Sequence, residues 1–445
     1  MIILLLPVEK YLGVFQILNR YDEVKGNCLK NIKIIGYATM KFPKVGPAFL
    51  VTAAFIGPGT VITASMAGAN YGLTLVWALL FAMIATIILQ EMAARLGIIT
   101  QQGLGENIRQ AISQPFWRTI TIILVVSAIV VGNGAYQSGN ISGASLGLVS
   151  ISEQFSWDIA YAPILFPLLI GAVAFILLYT GSYKLIERAL VLLVGLMSVA
   201  FLLSFFLTQP DWSGLLSSMF AFDIPTGAGL TVIALIGTTV VPYNLFLHAA
   251  TASKKWQSKD DLTAARQDLF VSIPLGALIS IAIVSTAASA FFGQQLTLRS
   301  AADLAPSLQP LFGDWASIFI GIGLFSAGIS SAITAPLAAA FALSGILNLD
   351  KSLNSLSFKL TWMTILVIGV VVASSGYKAV SIIWFAQVAN GILLPVISIF
   401  LLWIMNTKVL GDYRNNLWQN IAGAAVIFIT LLLSARSLMS AFGLL

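Results

Sequence analysis

Charge is scarce in this sequence: 9% of its 445 residues are Asp, Glu, Lys or Arg, and histidine and cysteine occur once each. A soluble chain of that length would need a far more charged surface. The lone Cys28 excludes an intrachain disulfide and is expected to be a free thiol. One histidine, without clustered Asp or Glu in the apolar stretches, excludes a metallo-active site of the usual composition. There is no glycine-rich phosphate loop of the Walker type, and no resident cofactor is expected. No hydrophilic segment is long enough to form a catalytic domain, so the chain is not expected to be an enzyme.

What is present in quantity is apolar: 58% of the residues are hydrophobic. They fall into blocks at 45–70, 74–97, 117–148, 160–180, 184–207, 227–252, 268–294, 312–346, 358–375, 379–405 and 417–442. Each block is long enough to cross a hydrocarbon core of about 30 Å. Their apolar character is continuous rather than alternating, which selects helices over a barrel. The expected fold class is an all-α integral membrane protein of about 11 transmembrane helices. Of the 23 Lys and Arg, all but Arg299, Lys378 and Arg436 fall on one side of the spans, in the N-terminal segment and in or beside alternate loops, with Lys254, Lys255, Lys259 and Arg266 marking one of them. The positive-inside rule puts those loops and the N-terminus in the cytoplasm, and eleven spans then put the C-terminus outside. The expected location is a bacterial inner (plasma) membrane, multi-pass, with the lipid bilayer as partner. These loops account for the net charge of +6, so no nucleic acid is expected as partner. The expected assembly is a monomer or weak oligomer.

Residues 1–44 stand apart as an N-terminal cytoplasmic segment. The apolar run from Ile2 to Leu6 is too short to span, and the charges follow it, which is not the order of a signal peptide. Met40 immediately precedes Lys41-Phe42-Pro43-Lys44, a basic lead-in to the first span. Residues 1–39 are therefore expected to be a tail or to lie upstream of the true start.

Two spans carry helix-breaking residues near their middles. The first holds Gly57-Pro58-Gly59-Thr60, and the sixth holds Val241-Pro242-Tyr243-Asn244 after Gly237-Thr238-Thr239. Proline removes a backbone donor and costs about 3 kcal/mol in a helix interior. A single such kink needs no ligand. A matched pair five spans apart is the pattern of two inverted five-helix repeats, each opening with a discontinuous helix, here 45–207 and 227–405 with 417–442 as an extra C-terminal helix. Freed carbonyls and half-helix ends at mid-membrane then become ligands for a substrate or ion.

At these breaks the chain resembles the Nramp family of divalent-metal transporters, which have the LeuT-type fold. The family motif Asp-Pro-Gly-Asn appears as Gly57-Pro58-Gly59-Thr60, followed by Ala67-Gly68-Ala69-Asn70-Tyr71-Gly72. The stretch Leu89-Gln90-Glu91-Met92-Ala93-Ala94-Arg95-Leu96-Gly97-Ile98 is similar to the end of the family's second helix. The family's Met-Pro-His-Asn-Leu-Tyr-Leu-His appears as Val241-Pro242-Tyr243-Asn244-Leu245-Phe246-Leu247-His248. Ser326-Ala327-Gly328-Ile329-Ser330-Ser331 with Thr334 in the eighth span, and Gln387-Val388 with Leu394-Pro395 in the tenth, continue the match across 45–405. The resemblance implies a 5+5 inverted repeat with discontinuous helices 1 and 6. It also implies a secondary transporter that moves divalent metal ions by alternating access, coupled to protons or another ion.

The resemblance places a substrate site at Gly57, Thr60, Thr238, Val241, Asn244 and Gln387. Metal ligands would come from Thr60, Asn244 and Gln387, with the backbone carbonyls of Gly57 and Thr238. The family's metal-binding Asp and Met are here Gly57 and Val241, and its third-span acids are Gln137 and Asn140. The remaining donors are neutral oxygens, whereas Mg and Ca sites normally include carboxylates and soft ligands favour transition metals. The cargo is therefore read as a divalent cation (Mn, Fe or Mg), or alternatively as a monovalent ion or small organic solute. Four residues are candidates for a proton pathway or gate. His248 lies one helical turn beyond Asn244 and either carries a proton or bonds a neighbouring helix. Glu91 either pairs with Arg95 four residues on or gates the path. Gln137 and Asn140 either line the path or serve helix packing.

Overall fold

The computed structural model describes residues 46–48, 56–157, 159–181, 184–293, 300–350 and 352–441. The expectations for Cys28, Met40, residues 1–44 and Arg299 fall outside them. Among the described residues every regular element is helical. In chain order these are α1 (Pro58–Tyr71), α2 (Val76–Thr100), α3 (Leu104–Ala111), α4 (Pro115–Gln154), α5 (Ala162–Thr180), α6 (Lys184–Leu207) and α7 (Trp212–Ala221). There follow α8 (Gly229–Thr239), α9 (Pro242–Lys255), α10 (Leu262–Phe291), α11 (Ala316–Leu347), α12 (Leu356–Ala373), α13 (Ala379–Ile404) and α14 (Leu417–Ala441).

Ten helical stretches among the described residues are long and apolar enough to cross a membrane, with α8 and α9 together making one of them. The 14-residue α1 is shorter than these and is not among them. The helices therefore follow the apolar blocks of the sequence closely. They differ mainly at α10, which starts at Leu262 rather than 268, and at α4, which runs to Gln154. Both extensions are polar turns that hydropathy alone leaves out. Outside the spans, Asp211 caps α7 by accepting from the backbone N–H of Gly214 at 2.9 Å and from the Ser213 hydroxyl. Those bonds, the Gly214 N–H first, hold its carboxyl below the ordinary carboxylate range.

Burial sorts the helices into inner and outer sets. In the most apolar window of α8–α9, 89% of residues are buried, against 33% for α5, α12 and α14. Irregular backbone at membrane depth is tolerated only where protein covers it, and the second break lies in the most covered span. The outer helices turn Leu168, Leu169, Ile176, Val367, Val371 and Phe428 outward, as lipid contact requires. Exposed Trp and Tyr gather near helix ends, among them Trp117, Tyr161, Trp212, Trp315 and Tyr377. That is the position of an interfacial aromatic belt.

The long α4 is the central strut. Its 40 residues span about 60 Å at about 1.5 Å per residue, well beyond the hydrocarbon core. It packs most extensively against α11 and α13. Glycines make the close approaches. Gly143 faces the Pro58 ring of α1, and Gly147 faces the backbone of Gly321 and Phe325 in α11, so a side chain at either would collide. Small residues at such crossings let membrane helices gain dispersion contact where no hydrophobic drive is available.

Candidate functional site

The first break begins at Gly57, which sits ahead of α1 in an extended conformation (φ −113°, ψ −174°) with Pro58 at the first helical position. Proline suits that position because its fixed φ is already helical and its missing N–H would have had no partner there. The carbonyl of Gly57 accepts from Val61 N at 3.2 Å. Thr60, one turn into α1, is buried.

The second break separates α8 from α9. Val240 (φ −98°, ψ 77°) and Val241 (φ −83°, ψ 123°) leave the helical region, and Pro242 restarts it. Pro242 has no N–H, so the Thr238 carbonyl has no helical partner four residues on. The Thr238 hydroxyl turns back into its own helix and donates to Leu235 O at 2.8 Å. Thr238 thus has a carbonyl to offer a ligand, while its hydroxyl is committed. Val241 contributes only a buried apolar side chain.

One residue touches both breaks. The side-chain amide of Gln387, on α13, lies against Gly59, and its main-chain carbonyl lies against Gly237. A Cβ at either glycine would overlap it. Gln387 donates weakly to Ile383 O at 3.4 Å, and its Oε1 has no partner. Asn244, fully buried at the start of α9, has no partner for either amide atom. Buried polar atoms are normally paired, so this concentration of open amide groups beside two helix breaks marks a polar site.

The other candidates are placed elsewhere. His248 is fully buried, and its Nδ1 lies 2.7 Å from Gln90 Oε1 of α2. A carbonyl oxygen only accepts, so Nδ1 carries the proton, and Nε2 is left without a partner. Glu91 forms the expected pair with Arg95 at 3.1 Å and also a second one with Arg266 at 2.8 Å. Buried Arg95 reaches further, to Asn415 Oδ1 at 2.7 Å and Tyr413 O at 2.9 Å. This network joins α2, α10 and the approach to α14. Gln137 donates to Ala332 O of α11 at 3.0 Å and packs on Gly369 of α12. Asn140 lies on the same seam, its main-chain carbonyl against Gly328 of α11. Gln137 Oε1 and Asn140 Nδ2 are buried without a partner. In the serine row, Thr334 donates back to Ser330 O at 3.2 Å, a helix-internal bond.

Sequence reasoning missed Gln90, Asn133 and Asn390. Asn133 and Asn390 line a small void between α4, α9 and α13 with Pro242, Tyr243 and Phe246, and both are buried. Asn390 follows Gln387 by three residues, so same-face spacing on a helix could have found it. Nothing local could have found Gln90, whose partner is distant in sequence. Among the described residues no three His, Cys, Asp or Glu side chains gather as a metal cluster.

Fold and site together define an all-α membrane protein of discontinuous-helix architecture, with a neutral polar site at the breaks. The sequence profile described as "Nramp: Natural resistance-associated macrophage protein-like" matches residues 48–440, and the chain belongs to the Nramp family. It is similar to the divalent metal cation transporter MntH of Caldanaerobacter subterraneus subsp. tengcongensis, with 27% identity over 425 residues, 93% of this chain and 96% of that protein. Its fold is that of the Eremococcus coleocola manganese transporter in complex with an aromatic bis-isothiourea substituted compound. That match has a TM-score of 0.71 at 20% identity and covers 93% of this chain and 90% of the other. A nucleobase-cation-symport-1 family transporter in a closed conformation matches with a TM-score of 0.57 at 14% identity, covering 90% of this chain and 94% of that one. The LeuT-type architecture implied by the resemblance is the fold observed.

Proposed function

We propose that this chain is a secondary transporter that carries divalent metal ions across the inner membrane by alternating access. The observation that carries the reading is the meeting of both breaks at Gln387, in a chain of the Nramp family whose relatives include divalent metal cation transporters. Cargo at the breaks would meet the Thr238 carbonyl, Asn244, Gln387 and the region of Gly57 and Thr60. These donors are neutral, so the site would stabilise a cation through oriented dipoles and retained water rather than through formal charge. The N-terminus and the loop of Lys254, Lys255, Lys259 and Arg266 are assigned to the cytoplasm by the charge bias.

The coupling ion in this reading is the proton, with His248 as the group that takes it. The imidazole lies on the cytoplasmic side of Asn244 on α9. Toward the same side Glu91 faces Arg95 and Arg266 and is already ion-paired. The test is uptake into proteoliposomes under an imposed pH gradient, with Mn(II), Mg(II) and a panel of amino acids. Metal uptake driven by the gradient supports the reading. No metal uptake at millimolar concentration, together with accumulation of an organic solute, overturns it.

A further inference from the structure

We infer that His248 Nε2, with Gln90 fixing the ring, is a nitrogen ligand for the cargo cation one helical turn inward of the breaks. This rests on the proposed metal transport and adds a ligand of a different chemical kind to it. Two observations carry it independently. The first is the concentration of open polar atoms. His248 Nε2 and Asn244 Oδ1, the two open atoms here that carry a lone pair, lack partners, and both residues are fully buried. Leaving such an atom buried and unpaired costs about 1–3 kcal/mol, and a guest at some stage of the cycle would account for it.

The second is the direction of the ring. Gln90 Oε1 accepts from Nδ1 at 2.7 Å, which places the imidazole lone pair on Nε2. A ligating histidine is characteristically held in this way, one nitrogen donating to a fixed oxygen and the other open to metal. Asn244 and His248 are four residues apart on α9, the spacing that puts two side chains on one helix face. A lone pair on nitrogen beside an amide oxygen selects for a borderline-soft divalent ion over Mg(II). The breaks themselves offer oxygen only. Discrimination among divalent ions would then reside at α9 rather than at the breaks. A proton and the cation would be alternative occupants of the same nitrogen, because a histidine ligand must be unprotonated.

Because His248 is the sole histidine of the chain, imidazole ¹⁵N labelling yields one pair of ring signals, provided the protein is purified without a histidine tag. The probe is Cd(II), which is diamagnetic, with Mg(II) as control and calorimetry on the same samples. The expected result is a Cd(II)-dependent shift of Nε2 with Nδ1 still protonated, and no shift with Mg(II). In Gln90→Leu the Cd(II) affinity should fall ten- to a hundredfold, with recovery in Gln90→Glu, which restores an acceptor. Heat of Cd(II) binding without any change in the ring signals overturns this site and leaves the proposed cargo standing. Absence of both heat and shift for every metal overturns the two together. The wild-type spectrum decides the matter even if the Gln90 variants fail to fold.

Discussion

Gln387 lies against both broken helices, through its amide against Gly59 and its main-chain carbonyl against Gly237, and is proposed as a ligand. Replacing it by Leu keeps the volume and removes the open Oε1. One neutral donor is worth about 1–1.5 kcal/mol, so Gln387→Leu should raise the apparent KM for metal about tenfold with little change in thermal stability, measured by uptake and by unfolding in detergent. Glu91 is expected to act on stability through its two ion pairs. Glu91→Gln leaves the buried Arg95 with its amide and carbonyl partners but no counter-charge. A loss of about 2–3 kcal/mol is expected, seen as a lower midpoint of thermal unfolding. An unchanged midpoint would mean that the network is ornamental. His248→Ala should flatten the pH dependence of uptake, and an unchanged profile would remove His248 from the coupling route.

The discontinuous element follows from a single missing N–H. Pro242 denies the Thr238 carbonyl its partner, and Val240 and Val241 bridge the gap in non-helical backbone. Pro242→Ala returns the donor and removes a residue that opposes helix propagation by about 3 kcal/mol. The expected outcome is a protein that is equally or more thermostable but transports poorly, because the freed carbonyl is drawn back into the helix. Transport at the wild-type rate would show that the break does not depend on proline. Gly237→Ala tests the crossing of α8 and α13. Its Cβ would run into the Gln387 carbonyl and come 2.7 Å from Gly391 N, both backbone groups that cannot swing aside. Overpacking of this kind costs about 1–3 kcal/mol and should lower expression and stability together.

At the scale of the whole molecule, orientation and layering follow from different forces. The proposed cytoplasmic side rests on charge bias, while the exposed apolar faces of α5, α12 and α14 mark the lipid-facing shell. A Cys28→Ser background provides a cysteine-free chain for mapping. In it, a cysteine at Ser258 should react with a membrane-impermeant maleimide only from the cytoplasmic side, and one at Ser375 only from the opposite side. The reverse pattern would invert the topology.

The sequence by itself determined the spans, because apolar length is a local property that a membrane reads directly, and the helices follow the blocks within a few residues over most of the chain. It also determined where the helices break, since Pro58 and Pro242 act on their own backbone. What it left open was every pairing across the bundle. Gln90 with His248, Glu91 with Arg266 and Gln387 with the two breaks join residues far apart in sequence. Gln137 with the Ala332 carbonyl is another such pairing. Only the tertiary structure decided this, because helix rotation and neighbour choice depend on glycine contacts between distant segments, and a spacing of three or four residues says which side chains share a face but not what that face meets.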